Sequence, residues 1–286
     1  MNKKNILGVG VTDASKDEIL EYIVKNLENF KKKLFVVTPN PEFLVLASKN
    51  KTFRDVLNRA DLALIDGVGI MIAGKMLGRP LRERFSGVDL VKSLCERVAE
   101  KPITVGFLGG RGGVAELTAE CLQKKYPKLK IAFVGEEWLS GINARQSRVS
   151  DVVQLRKTEK QSLKSPSLNK SQLPSDAQLT FNSSTSGQTS SVDSVDVLFV
   201  AFGAPKQEFW INENLEKIPA KIAIGVGGAF DYLSGRTPRA PGFVRSIGFE
   251  WLFRLINQPW RIKRQLALFE FIYLIFKEKI SKTKPS

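Results

Sequence analysis

An α/β fold built on a mostly parallel sheet, with helices on both faces and a helical appendage at the C-terminus, is what this sequence predicts. Three observations carry the prediction. Continuous apolar runs such as KLFVV, PITVGFL, KIAFV and VDVLFVAF alternate with stretches of helical periodicity. The runs lack the in–out alternation of a half-solvated strand, so both faces of each are expected to be covered. Most of them end abruptly in polar or glycine-rich residues, as strand tips do at the working edge of an open sheet.

Taken in order, residues 5–11 (NILGVGV) read as a short strand. Residues 15–31 read as an amphipathic helix with Ser15 at the N-cap and Glu18 closing a capping box. KLFVVTPN (33–40) is the next strand, and PEFLVLASKNKTFRDVL (41–57) one helix, with Pro41 where a missing N–H costs nothing. DLALID (61–66) is a strand, and GIMIAGKMLG (69–78) a helix stopped by Gly78-Arg79-Pro80. SGVDLVKSLCERVAEK (86–101) is a helix, and PITVGFLGG (102–110) a strand entering a glycine-rich turn. VAELTAECLQKKY (114–126) is a helix, and KIAFVG (130–135) a strand.

Residues 144–194 break the alternation. Their thirteen Ser, four Thr and single aromatic, Phe181, cannot bury enough surface to offset the entropy of ordering. A disordered surface insertion is expected, which its host tolerates because loop closure grows costly only slowly with length. The strand VDVLFVAFG (195–203), the helix PKQEFWINENLEKI (205–218) and the strand KIAIGVGG (221–228) resume the fold. The expected organisation is a Rossmann-like α/β domain over 1–242, interrupted by the insertion, and a basic, apolar appendage over 243–286.

Composition narrows the chemistry. The chain of 286 residues contains no histidine, so proton transfer near neutral pH falls to a carboxylate, lysine, tyrosine or cysteine. Cys95 and Cys121 have no metal-ligand spacing and form no disulfide framework, which suits a reducing compartment. The N-terminal apolar run is only six residues, and no stretch reaches the roughly 18 apolar residues of a membrane span. A cytoplasmic protein, soluble or peripheral on the inner face of the membrane, is expected. The net charge is +15, and residues 236–286 hold eleven Lys and Arg against three Glu. Such a tail favours polyanions: nucleic acid, anionic headgroups or a diphosphate. Its apolar stretch LALFEFIYLIF (266–276) argues for a helix in the membrane interface rather than for nucleic acid. The alternative is a helix packed on the core or in a homo-oligomer interface.

Four strand ends bear groups able to do chemistry: Thr38–Glu42, Asp66–Gly69, Gly109–Gly113 and Gly203–Glu208. Asp66, ending a buried run, is the candidate general base; the competing reading is an aspartate that caps a turn or the next helix. Gly109 and Gly110 open a glycine loop before a helix, where backbone N–H groups and the helix dipole could cradle a diphosphate. Gly110–Ala115 also satisfies G-x-G-x-x-A, which invites a nicotinamide-dependent oxidoreductase, although the loop is not in the first βα unit and Glu136 stands 26 residues on. Group transfer from a nucleotide-diphosphate donor uses the same parts differently: a cradle, an arginine for the leaving group, and Asp66 for the acceptor hydroxyl. There is no Asp-x-Asp triplet to hold Mg²⁺, so neither a metal nor a cofactor need be invoked. A non-catalytic basic module would leave Asp66 and Gln207 at strand ends unexplained.

TPNPEFL, ADLALIDGVGI, RFSGVDL, GFLGGRGG, VAFGAPKQEFWI and GVGGAFDYLSGRTPRAP occur in this order. Together they resemble the WecG/TagA/CpsF family of bacterial glycosyltransferases, over nearly the whole chain outside 144–194. The resemblance implies an inverting, metal-independent transfer of a sugar from a UDP donor. In the best-known branch N-acetylmannosamine goes to an undecaprenyl-diphosphate-linked N-acetylglucosamine, on the way to teichoic acid or a related polymer. It implies Asp66 as catalytic base and Thr38, Asn40, Arg84 and Gln207 in the substrate pocket. It also implies that the tail closes over the site at the membrane, with Arg254, Arg261 and Arg264 on the donor diphosphate. The segment 144–194 departs from the family's compact helix, and KIAFVGEEWLSGIN from its aromatic-rich turn.

Overall fold

The chain enters through a hairpin rather than the single strand expected over 5–11. Strand β1 (Lys3–Ile6) pairs antiparallel with β2 (Val9–Thr12). Between them Leu7 and Gly8 take φ of 50° and 83°, the two-residue turn whose twist matches that of the flanking strands. A leucine at such a φ is uncommon, which is why the turn does not announce itself in the sequence. The computed structural model describes residues 1–136, 194–246, 248–259 and 262–283. The expected insertion over 144–194 therefore lies, apart from Ser194, outside the described residues.

Helix α1 (Lys16–Glu28) starts with the expected capping box: Ser15 accepts from the Glu18 amide while the Glu18 carboxylate accepts from Ser15 N–H. After β3 (Leu34–Val37), the single helix expected over 41–57 is two, α2 (Pro41–Lys49) and α3 (Lys51–Arg59). Asn50 separates them with extended backbone, and its side chain accepts from Phe53 N–H at 2.9 Å. An asparagine offered both roles takes the cap, because its short amide bonds the backbone better outside a helix than within one.

The chain continues through β4 (Leu62–Ala63), α4 (Val68–Met76), α5 (Gly87–Val98), β5 (Thr104–Gly109), α6 (Val114–Lys125) and β6 (Lys130–Gly135). Then come β7 (Val195–Ala201), α7 (Lys206–Asn214), β8 (Ala220–Gly225), α8 (Ala229–Leu233), α9 (Gly242–Ser246), α10 (Glu250–Asn257) and α11 (Ile262–Thr283). Strands β3 to β8 form one sheet in the order β4-β3-β8-β7-β5-β6, every pair parallel. Alternate residues of β3 show why its run is continuously apolar. Leu34 and Val36 pack in the layer of α1, α5, α6 and α8, and Phe35 and Val37 in that of α2, α3, α4, α7 and α11. This is the α/β architecture that the sequence predicts.

The C-terminal helix uses both of its faces. Phe271 and Ile275 are buried against the layer that holds α2 and α4, each contributing roughly 1.5–3 kcal/mol. Lys49–Glu270 at 2.7 Å and Arg79–Glu278 at 3.1 Å flank them, worth at most about 1 kcal/mol each at the surface. Apolar burial, not charge, docks the helix. Leu266, Phe269, Tyr273, Phe276 and Ile280 follow one another at three- and four-residue steps along the opposite side, and all are exposed. Among the described residues no helix is long and apolar enough to cross a membrane.

Candidate active site

Because β8 lies between β3 and β7, with β4 at the edge beside β3, four strand ends stand side by side. Above them is a cavity of about 530 Å³, within the usual range for small-molecule sites. Its polar lining includes Thr38, Asn40, Asp66, Arg84, Gln207 and Arg254. Its apolar lining includes Ile72 and Met76 of α4 and Leu268, Phe271 and Ile275 of α11. Six of the residues expected from the sequence are thus brought together from segments up to 216 positions apart.

Asp66 sits just beyond β4, held by its own N–H to the Pro39 carbonyl at 2.9 Å. Gly67 follows with φ of 120°, a conformation that favours glycine, and is the N-cap of α4 without any side-chain cap bond. Asp66 does not cap the helix after it. Its Oδ2 instead faces the first amide of α5, Gly87 N–H, at 3.5 Å. Burial above all, and then the negative charge of Glu250, push its carboxyl up to about 6; the Gly87 amide and the Arg84 charge oppose them, and Asp89 adds to the rise. A carboxylate near 6 can accept a proton at neutral pH and still be ionised to do so.

A chain of charges holds this environment. Ser86 caps α5 through Asp89 N–H and donates its hydroxyl to Asp89 at 2.6 Å. Arg239 grips Asp89 with two parallel bonds, 2.7 and 2.9 Å, and reaches Glu250 at 3.4 Å. Burial raises the Asp89 carboxyl, but the bonds from Arg239 and Ser86 and the charges of Arg239 and Arg245 outweigh it and hold it at about 2. Asp89 is therefore a fixed anion, unlike Asp66. Glu250 in turn stands 3.9 Å from Arg84, whose loop is fastened by Phe85 N–H to the Ile65 carbonyl at 2.9 Å. The appendage thus supplies a carboxylate as well as an arginine to the site.

The remaining polar groups are largely engaged with the backbone. Asn40 caps α2 through Phe43 N–H at 3.1 Å, and Thr38 donates its hydroxyl to the Gly225 carbonyl at 2.9 Å. Gln207 is wholly buried. Arg254 lies over the Tyr232 ring, 5.0 Å from its centre, and its buried Nε has no hydrogen-bond partner. A stacked guanidinium with an unused donor at a cavity wall is suited to an anion. Among the described residues no group of three His, Cys, Asp or Glu side chains converges to hold a metal ion.

Gly109 and Gly110 do not line this cavity, since β5 lies one strand beyond β7. The mouth of their loop is already occupied by protein groups. Gly113 N–H, at the start of α6, donates to Glu136 at 2.9 Å, and Arg236 donates to the carbonyls of Arg111 and Gly112. The Glu136 carboxylate thus faces the helix start where the dinucleotide reading puts a diphosphate. Arg261 lies outside the described residues, and of Arg264 only the backbone, within α11, is described. Ser86, Asp89, Tyr232, Arg239 and Glu250 were not singled out in the sequence. The spacing Ser86-x-x-Asp89 is a helix-start signature that could have pointed to the first pair.

A parallel α/β sheet with an ionisable carboxylate beyond one strand tip, facing a cavity lined also by Arg84 from a loop and Arg254 from the C-terminal appendage, defines a group-transfer enzyme. The comparisons with known proteins agree and make the class specific. The chain belongs to the glycosyl transferase WecG/TagA/CpsF family, whose model matches residues 4–157 and 191–285, and it is a glycosyltransferase. It is 27% identical over 285 residues to the N-acetylglucosaminyldiphosphoundecaprenol N-acetyl-β-D-mannosaminyltransferase of Bacillus spizizenii, covering 100% of this chain and 95% of that protein. It is 25% identical over 282 residues to the enzyme of the same name from Bacillus subtilis, covering 99% and 94%. With the Staphylococcus aureus MRSA252 enzyme of that name it shares 27% over 285 residues, covering 99% and 96%.

Proposed function

We propose that this glycosyltransferase moves N-acetylmannosamine from a UDP donor to an N-acetylglucosamine carried on undecaprenyl diphosphate, in cell-surface polymer synthesis. The acceptor hydroxyl oxygen attacks the anomeric carbon, the bond from that carbon to UDP breaks, and configuration inverts. Asp66 takes the hydroxyl proton. Arg254, together with Arg261 and Arg264, stabilises the departing diphosphate, while Thr38, Asn40, Arg84 and Gln207 shape the pocket. The observation that carries this reading is Asp66 itself. It is a half-buried carboxyl raised to about 6, lining a cavity with arginines on its walls. The names of the relatives support the lipid-linked acceptor, and the apolar side chains in the cavity lining suit it. The exposed apolar stripe of α11 would rest on an anionic membrane surface at the inner face.

The test is UDP release with a panel of UDP-sugars, each with and without a short-chain lipid-diphosphate-N-acetylglucosamine. Acceptor-dependent release with UDP-N-acetylmannosamine is expected, and release independent of acceptor would refute the transfer. A second outcome follows from the charge facing Asp66. In Glu250→Gln the negative charge is gone, so the Asp66 carboxyl falls and the acidic limb of the rate profile moves to lower pH. An unmoved limb would show that Glu250 does not tune the base.

A further inference from the structure

Helix α7 opens with two polar side chains, Gln207 and Glu208, that are both wholly buried. Gln207 Oε1 accepts from Gly203 N–H at 3.1 Å and from Gly227 N–H at 3.0 Å. One amide oxygen thereby ties the loop after β7 to the loop after β8. Gln207 Nε2 donates to Glu208 Oε1 at 2.6 Å. Room for the pair comes from Gly225, where a Cβ would stand 3.0 Å from Gln207 Nε2 and 3.1 Å from Glu208 Oε1.

Stability does not explain Glu208. Its Oε2 is buried without a hydrogen-bond partner, and burial pushes its carboxyl up to about 7 against the opposing bond from Gln207. Leaving a buried acceptor unpaired costs more than one such bond returns. Apolar residues of the same size in place of Gln207 and Glu208 together would serve the core at least as well. What Glu208 does supply is direction. A glutamine amide can be turned end for end, and its two ends have opposite hydrogen-bonding character. Turned over, Gln207 would point its NH₂ at two backbone N–H donors and lose both bonds. Ionised, Glu208 can only accept, so its place at Nε2 joins the two backbone N–H groups in excluding that orientation.

We propose that Glu208 is a positioning residue for glycosyl transfer. By orienting the Gln207 amide it holds the Val226–Gly228 loop, which lines the cavity, in the form that receives the donor nucleotide. The inference rests on the donor-site reading above, and it acts through Gln207 rather than through contact with substrate.

The experiment is calorimetric titration with UDP of the full chain and of Glu208→Met, Glu208→Gln and Glu208→Asp, each with its thermal melt. Glu208→Met removes the acceptor at similar volume. It is expected to weaken UDP binding at least tenfold while the protein still melts cooperatively, at a somewhat lower temperature because the buried Gln207 Nε2 is left unpaired. Glu208→Gln keeps an oxygen for Nε2 and is expected to bind UDP within about threefold of the parent. Glu208→Asp, with its acceptor drawn back from Gln207, is expected to weaken binding, and it answers the question if the Met variant does not fold. In a Gln207→Met background, Glu208→Met should add no further loss. Equal binding by parent, Met and Asp variants overturns the proposal alone, as does a Gln variant as weak as the Met variant. A parent protein that does not bind UDP overturns the donor-site reading, and this proposal with it.

Discussion

Asp66→Asn is expected to lower turnover about a thousandfold, within the range that positioned proton transfer contributes, while UDP binds as before. Asparagine keeps the shape and the approach to Gly87 N–H but cannot take the acceptor's proton. In the parent, kcat/KM should fall with unit slope as the pH drops below about 6, where burial and the Glu250 charge hold the Asp66 carboxyl. A variant that keeps a tenth of the activity would remove Asp66 from the role of base. Stability should move the other way. An aspartate raised from 3.8 to about 6 favours the fold while protonated. That contribution is complete below the unfolded value and lost as the pH rises through about 6. Two units correspond to at most about 3 kcal/mol. Asp66→Asn should therefore melt several degrees above the parent at pH 8, with the gap closing by pH 4. Equal melting at both values would show that the native protein stores no strain at this carboxyl.

Removing residues 243–286 is expected to abolish both vesicle binding and nearly all activity, for two separable reasons. The segment brings Glu250, Arg254, Leu268, Phe271 and Ile275 to the lining of the cavity. It also displays the exposed stripe that includes Phe269 and Phe276, 70% and 49% accessible. The double variant Phe269→Glu/Phe276→Glu separates the two. Its docking face is untouched, so its melting temperature and its turnover of a water-soluble acceptor should match the parent. Sedimentation with phosphatidylglycerol vesicles should be lost. A double variant that still sediments would refute the membrane role of the stripe, and a truncated chain with full activity would refute the roof.

Much of this was legible in the residues. Continuous apolar runs marked β3, β5, β6, β7 and β8 because strands covered on both faces need no alternation. Ser15 and Glu18 marked the start of α1 because a capping box is a local, two-bond device. The hairpin β1–β2 was hidden because Leu7 is a poor advertisement for a turn. The break at Asn50 was hidden because asparagine is tolerated in a helix and preferred at its cap, and neighbouring apolar residues continue the same period. The carboxylate Glu250 could not be picked out from its surroundings in the chain, where it is one charge in a basic, apolar tail.

By itself the sequence determined which groups stand at strand tips: Thr38, Asn40, Asp66 and Gln207 are placed there by the lengths of apolar runs and by the polar residues that stop them. It also determined that, without histidine, proton transfer near neutral pH falls to a carboxylate, lysine, tyrosine or cysteine. Only the tertiary structure decided which tips are neighbours. Strand order is set by crossover connections whose pairing is not encoded in any one strand. Placing β8 between β3 and β7 gathered Asp66, Gln207 and the Val226–Gly228 loop around one cavity and left the glycine loop after β5 outside it. The tail was likewise decided in three dimensions. Composition made it basic and apolar, but only the burial of Phe271 and Ile275 assigned one face of α11 to the roof of the cavity and left the other to the solvent.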